Sequence, residues 1–580
     1  VALFHIGKEF IMSVQRFKVA VNAEMFPLLS PRHPRAVSIP GADSAPRTNS
    51  KFTGNDRSVD YNLAQVLFAE NMMPQKHGVN SAGYLEVVAG SGTVSGINTV
   101  FSLRDDEENI VLYSPGNGTT GYLFSPGTGS WTAITYASII SPLVVTTQPT
   151  GENVSYAYVD GKTFVCFPRK VATTGEDVSI LYWNPGTGTL ELADTLIANL
   201  PFAAGTIDGV SSSNGYLLVW SGLQVAWTFF NGTAFDFEPF ANGEFTGAGS
   251  QIPEDIKGPI TATISVPGGF LMFTTKNCIA AQYYAQNVVS PWLFREVQNA
   301  GGLDNYENMS IDSELEHVYA YTTSGMQKVN LHSADTIFPE LTDFIVGGIY
   351  ERYDYVQNLI TTTPVPQKIY TKVAAIANRY IVLSYGHTRN AYEFAFVYDM
   401  ELERWGKLRV NHSDCLYYPD SQSGGFQLSY NDLEPNTYND YETVAYDDLA
   451  YEDEVEPLIV QQNMGFVNPN GQVQIAVWLN PQITSTGSQV LKLGKMQLTR
   501  ARNLQFNRVE LEAYFGENPL VEVFPNGRSN GYMETLTEVE RIGDYYCGGT
   551  LVEGKNIELT LVGRYGLSSF IVEGVTGGSV

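Results

Sequence analysis

Cysteine is scarce in this 580-residue chain: Cys166, Cys278, Cys415 and Cys547 stand more than a hundred residues apart and form no CxxC pair. That excludes a disulfide framework and a zinc knot, and predicts free or buried thiols. Charge is also sparse, at 16% Asp, Glu, Lys and Arg, against 43% hydrophobic residues. So low a charged fraction with so much apolar content argues against disorder. Basic residues are the rarer sign, 34 against 61 acidic for a net charge of −27, so a surface that grips phosphates by counterion release is not expected. No apolar run reaches the length that spans a bilayer, and the first residues lack the cationic start, apolar core and small-residue cleavage site of a signal peptide. No membrane span and no export by the signal-peptide route are therefore expected, and the sequons at Asn117, Asn231 and Asn308 carry no weight without export.

Catalytic and nucleotide motifs are missing as well. Walker A, HExxH, GxSxG and the SxDxGxTW box of sialidase propellers do not occur, and the seven histidines, His317 and His387 among them, are scattered without metal-ligand spacing. "GNGTTG" (116–121) has the spelling of a dinucleotide fingerprint, but Gly121 runs straight into the strand-like "YLFSP" and not into a helix, so a hairpin turn is the reading. No cofactor, metal or catalytic residue is expected.

What is abundant is glycine (54), tyrosine (34) and phenylalanine (30), the palette of aromatic strands joined by tight turns. From about residue 84 to past residue 400, strands of four to eight residues alternate with Gly, Asn and Pro turns, as in "YAYVDGKTFVCF" (156–167) and "GYLLVWSGLQVAWTFF" (215–230). One unit recurs: an aromatic, a tight turn, then a second aromatic or apolar residue. It is found as "FSPGTGSW" (124–131), "WNPGTGTL" (183–190) and, degenerately, "YDMELERW" (398–405). Two outer strands of a propeller blade, with aromatics packed beside their turn, have this signature. The expected fold is all-β: a β-propeller of six or seven blades over 84–429, with stacked sandwiches as the competing arrangement.

The flanks differ. Residues 1–83 read as an extended N-terminal arm and first strand; within it, 1–60 hold eight Lys or Arg against five acids, and Arg32 and Arg35 sit in a Pro- and Ser-rich stretch suited to pairing with an acidic neighbour. Residues 457–580 alternate apolar and polar residues, as in "QVQIAVWL" (472–479) and "NRVELEAYF" (507–515), and predict a C-terminal β-sandwich. Between them, 430–456 ("YNDLEPNTYNDYETVAYDDLAYEDEVE") holds ten carboxylates and no cation. Tyr430, Tyr438 and Tyr446 recur every eight residues, each close to acids: Asp432, Asp440, Asp447 and Asp448. The stretch lacks the DxDxDG order of a calcium loop, which leaves a structural calcium site as the lesser reading beside a solvated connector whose tyrosines anchor successive turns.

"YDMELERWGKL" (398–408), the YNDL, YNDY and YDDL run, the closing "GKNIELTLVGRYGLSSFIVEGVTGG" (554–578) and the opening "NLAQVLFAENMMPQKHGVNSAGYLEVV" (62–88) together resemble the tail nozzle proteins of short-tailed bacteriophages. That group takes in the tubular tail proteins and the packaged-DNA-stabilising tail hubs. The resemblance implies a non-enzymatic virion protein, assembled in the host cytoplasm as a homo-hexameric ring under the head-to-tail adaptor. Its partners would be that adaptor, tail fibres or spikes, and double-stranded DNA that is retained in the channel and then ejected through it without sequence-specific binding. Like charge on a channel wall keeps a duplex sliding, which fits the acidic excess. The alternative is a propeller that binds or degrades host polysaccharide, with aromatic stacking platforms and a carboxylate pair.

Overall fold

The computed structural model describes most of residues 154–417, all of 464–477, and elsewhere chiefly the strands and a few residues beside them. Among the described residues the only helical pieces are two 3-10 turns, Ala193–Thr195 and Tyr306–Asn308.

Apart from three two-stranded pairs, the described strands between 101 and 412 fall into six consecutive four-stranded antiparallel meanders. Blade 1 starts at Phe101–Arg104 and ends at Ser130–Thr135. Blade 2 runs from Ser155–Val159 to Thr189–Leu192, and blade 3 from Gly209–Ser213 to Gly249–Gln251. Blade 4 runs from Ile260–Val266 to Trp292–Glu296, and blade 5 from Met309–Ile311 to Ala334–Thr336. Blade 6 is Tyr370–Ile376, Tyr380–Gly386, Tyr392–Asp399 and Arg404–His412, and its outer strand is met by Met72–Gln75. A further four-stranded sheet, blade 7, is built from Asp414–Tyr417, Met464–Val467, Val473–Val477 and, on its outer edge, Tyr84–Val87 from near the start of the chain.

The seams between these sheets close a ring. Leu123 of blade 1 packs on Val165, Leu181 and Trp183 of blade 2. Phe164 and Cys166 meet Val210 and Leu217 across the seam between blades 2 and 3, and Trp220 and Trp227 meet Phe270 and Trp292 between 3 and 4. Leu271 packs with Val318 between 4 and 5, and Tyr319 with Tyr385 and Phe396 between 5 and 6. Val382 and Val397 pack with Met464 and Phe466 between 6 and 7, and Val467 and Val473 pack with Phe124 between 7 and 1. Seven blades and seven apolar seams make one closed circuit. The fold is a β-propeller.

The recurrent aromatic unit lies where a blade needs it. Phe124 and Trp131, Trp183 and Leu190, and Tyr398 and Trp405 are direct cross-strand partners in the outer two strands of blades 1, 2 and 6. The rings of Phe124 and Trp131 are 5.1 Å apart and those of Tyr398 and Trp405 are 4.9 Å apart, a spacing that adds attraction beyond area burial. In blade 3 the aromatic faces glycine instead: Gly209 pairs with Trp220, and Gly249 with Trp227, so the indole lies over a residue with no side chain. The hairpin reading of "GNGTTG" agrees with the antiparallel pairing of Ser114 with Tyr122.

Three expected boundaries differ from the structure. Part of the N-terminal arm is sheet: Val14–Asn22 pairs antiparallel with Tyr565–Thr576 and parallel with Asn62–Glu70, which in turn pairs with Val490–Leu493. These segments and the strands of 490–576 pair into a second β body, so both flanks of the propeller fold together. The C-terminal unit starts later than residue 457, because Met464–Val467 and Val473–Val477 belong to blade 7. Residues 430–456 are therefore no connector between domains. They fall inside an insertion, 418–463, whose two ends are the cross-strand partners Tyr417 and Met464. Alternation alone tells a strand which faces it has, not which sheet receives it.

A Cβ on Gly209 would sit 2.0 Å from the Trp220 ring, in a seam with no slack. Gly209→Ala is expected to lower stability by about 1–3 kcal/mol through overpacking. Gly222→Ala, at φ +59 but with no atom within 4 Å, should cost about 1 kcal/mol from backbone strain alone. Denaturant unfolding of the two variants checks the order.

Candidate functional site

In each blade the first strand runs nearest the axis, where neighbouring strands converge and long side chains do not fit between them. Small hydroxyl residues stitch them instead. Ser155 Oγ accepts from the Val210 N–H at 2.8 Å, and Ser212 Oγ donates to the Tyr158 carbonyl at 2.8 Å. Ser213 Oγ donates to the Gly269 carbonyl at 2.7 Å, and Ser310 Oγ accepts from the Ala375 N–H at 2.9 Å. Each bond joins a hydroxyl on an innermost strand to a backbone group of the neighbouring blade.

Charge collects on the same axis, at the face where the first strands begin. Lys372 of blade 6 and Asp414 of blade 7 are 2.6 Å apart, and both are buried. Arg389, in a turn of blade 6, holds Glu307, which precedes blade 5, at 3.2 Å. Thr371 Oγ1 donates to Asn308 Oδ1 at 3.0 Å. Tyr156 of blade 2 reaches Tyr306 with ring centroids 6.1 Å apart. Blades 2 and 5 have two blades between them one way and three the other, so a contact between Tyr156 and the approach to blade 5 crosses the axis. The axis is filled at this level.

Asp414 has a second bond. Its Oδ2 accepts from the Val100 N–H at 2.7 Å, just before the first strand of blade 1. Burial pushes the Asp414 carboxyl up from the usual carboxylate range, opposed by Lys372 and the Val100 N–H. Burial works against the Lys372 ammonium too, yet Asp414 and Glu307 outweigh it and hold its pKa above the ordinary lysine value. At 2.6 Å, with a backbone donor on the other oxygen, the pair is ionised at neutral pH. Burial likewise raises the Tyr156 and Tyr306 phenols, which stay protonated.

Next to this cluster His412 is fully buried. Its Nδ1–H donates to the Val410 carbonyl at 2.8 Å, which leaves Nε2 to accept from Ser384 Oγ at 2.7 Å. Burial, with help from the Lys372 charge, lowers its pKa to about 4, so the ring is neutral.

None of the residues singled out from the sequence belongs to this cluster. Tyr430, Asp432, Tyr438, Asp440, Tyr446, Asp447 and Asp448, with Arg32 and Arg35, lie outside the described residues. The axial charges went unnoticed because Glu307, Lys372, Arg389 and Asp414 come from four separate segments. The one local hint is a lysine within the strand "YTKVAAI" (370–376). Among the described residues no cluster of three or more His, Cys, Asp or Glu is arranged to hold a metal. Cys166, Cys278 and Cys415 are buried, and burial pushes the Cys278 and Cys415 pKa upward, away from reactivity.

No protein-family model matches the chain, and no curated protein does. Many solved structures are similar to it, among them the following two. Citrobacter koseri AztD is 10% identical with a TM-score of 0.29, over 52% of this chain and 68% of that one. A candidate 6-phosphogluconolactonase of Bacteroides uniformis is 13% identical with a TM-score of 0.30, over 53% of this chain and 83% of that one. The propeller assignment rests on the strand pairing.

Arg389→Met would leave Glu307 buried without its cation, and a loss of about 3–5 kcal/mol is expected in denaturant unfolding. His412 titrates differently in the two states. Neutral when folded and charged when unfolded, it contributes stability above pH 6.5 that is lost as pH falls toward 4, roughly 3 kcal/mol in all. As pH falls from 6.5 toward 4 the parent should lose stability relative to His412→Gln; parallel curves would contradict a buried neutral ring.

Proposed function

We propose that the chain is a structural subunit of a short-tailed bacteriophage tail: a nozzle protein that forms a sixfold ring under the head-to-tail adaptor, carries fibres or spikes nearby, and retains packaged double-stranded DNA until it conducts it out. The observation that carries the reading is the solid propeller. Its axis is crossed by Tyr156 and Tyr306 at 6.1 Å, and beside them two ion pairs join blade 6 to its neighbours on either side, so the blades act as a block and not as a funnel. A duplex would pass between copies of the chain, not through one.

The arrangement of the flanks favours the same role. Strand direction puts the turn between the first and second strands of each blade on the face opposite the axial charges. The 418–463 insertion springs from that face of blade 7, at Tyr417 and Met464. Val477 and Tyr84, the points where the propeller joins the second β body, pair with each other at the same end of the blade. The points where the chain leaves blade 7 toward these two segments thus lie at one face of the propeller. The axial cluster is itself neutral, two cations with two carboxylates, so the excess of 61 acids over 34 bases lies elsewhere on the molecule. On a wall facing DNA such an excess lowers friction and does not bind.

The test is electron microscopy of the purified chain mixed with a candidate adaptor ring. Sixfold rings with an axial hole between subunits are expected. A monomer that cleaves capsular or outer-membrane polysaccharide would overturn the nozzle and favour the degrading propeller instead.

A further inference from the structure

Blade 7 differs from its neighbours in how it is made. Its four strands come from three separated segments, 84–87, 414–417 and 464–477, and each is only four or five residues long. In blades 3 and 4, by contrast, all four strands come from one continuous stretch, and most are five to seven residues long. A blade of separated short strands gains less from local pairing, so its place in the ring depends on what fastens its inner strand.

Asp414 opens that inner strand, and its two oxygens reach in opposite directions around the ring. Oδ1 meets Lys372 of blade 6 at 2.6 Å, and Oδ2 accepts the Val100 N–H, at the entrance to blade 1, at 2.7 Å. One carboxylate thus spans both seams of the closing blade. Around it, Ser413 Oγ donates to the Val467 carbonyl at 3.1 Å, the Val94 N–H donates to the Asn470 carbonyl at 3.0 Å, and Trp131 Nε1–H donates to the Gly471 carbonyl at 2.9 Å. The last two also join blade 7 to the blade 1 side, but neither touches blade 6.

We propose that Asp414 is the latch of the propeller, and that the ring opens locally at blade 7, by release of this carboxylate, while blades 3 and 4 stay folded. Blade 7 is also where the chain passes to and from the second β body, at Val477 and Tyr84. The inference holds whether or not the chain is a nozzle.

Hydrogen–deuterium exchange on the full chain reads it directly. In the parent protein, amides at Val100, in Met464–Val467 and in Val473–Val477 are expected to exchange at least about tenfold faster than those of Tyr216–Ser221 and Gly269–Thr274. Asp414→Asn keeps an acceptor for Val100 but loses the ion pair. It should speed the first group by about a further tenfold and leave the second unchanged. Lys372→Met, which spares the Val100 bond, gives a second reading if Asp414→Asn does not fold, and the parent comparison stands without either. Equal protection of blade 7 and blades 3 and 4 in the parent overturns the latch, as does a variant that speeds both groups alike.

Discussion

Seven first strands meeting at one axis is the constraint from which the rest of the structure follows. Strands that splay outward leave room for large rings at the rim and almost none at the centre. Trp131, Trp292 and Trp405 accordingly sit on outermost strands, while Ser155, Ser212, Ser213 and Ser310 sit on innermost ones. The hydroxyls cross from blade to blade and bond to backbone groups of the neighbour. Where the axis still needs filling, the chain uses long polar side chains in matched pairs. Lys372 with Asp414 and Arg389 with Glu307 fill the volume and cancel charge together. A single unpaired charge at that depth would cost several kcal/mol, so each member commits the others.

The same constraint explains what could be read in advance. Strand lengths, turn positions and the aromatic pairs beside the outer turns are local, and Phe124 with Trp131 or Tyr398 with Trp405 are seven residues apart in sequence. A hairpin writes its register into a short stretch. The axis is written differently. Its four charged residues span more than a hundred positions, and none is unusual among its sequence neighbours. Val473–Val477 and Val490–Leu493 also look alike as sequence, yet one closes the propeller and the other joins the second β body. The alternation of both is satisfied by any half-covered sheet, and only the non-local partner decides.

Closure by Tyr84–Val87 has a consequence for the whole chain. A propeller finished by a strand from its beginning cannot settle until residues near 84 and near 475 have met, and the loop entropy of that meeting opposes it. The preceding segment is held as well, since Met72–Gln75 meets the outer strand of blade 6, where the Arg409 N–H donates to Asn71 Oδ1 at 2.8 Å and Arg409 Nη1 contacts Glu70 at 3.2 Å. The N-terminal strands thus run along blade 6, into blade 7, and through the second β body by way of Val14–Asn22 and Tyr565–Thr576. Two bodies that would otherwise share a flexible linker share strands.

Shared strands change how force passes through the molecule. A load on the second β body arrives at blade 7 through Tyr84 and Val477, at the face away from the axial charges, and pulls along the strands instead of peeling them from the sheet. Blade 7 resists by its inner strand, whose first residue is Asp414, at the opposite face. The blade is therefore loaded at one end and pinned at the other. The pin at that end is an ion pair and a backbone hydrogen bond, which act beside the apolar seams that Cys415, Met464 and Phe466 make with blade 6 and that Leu416 and Val467 make with blade 1.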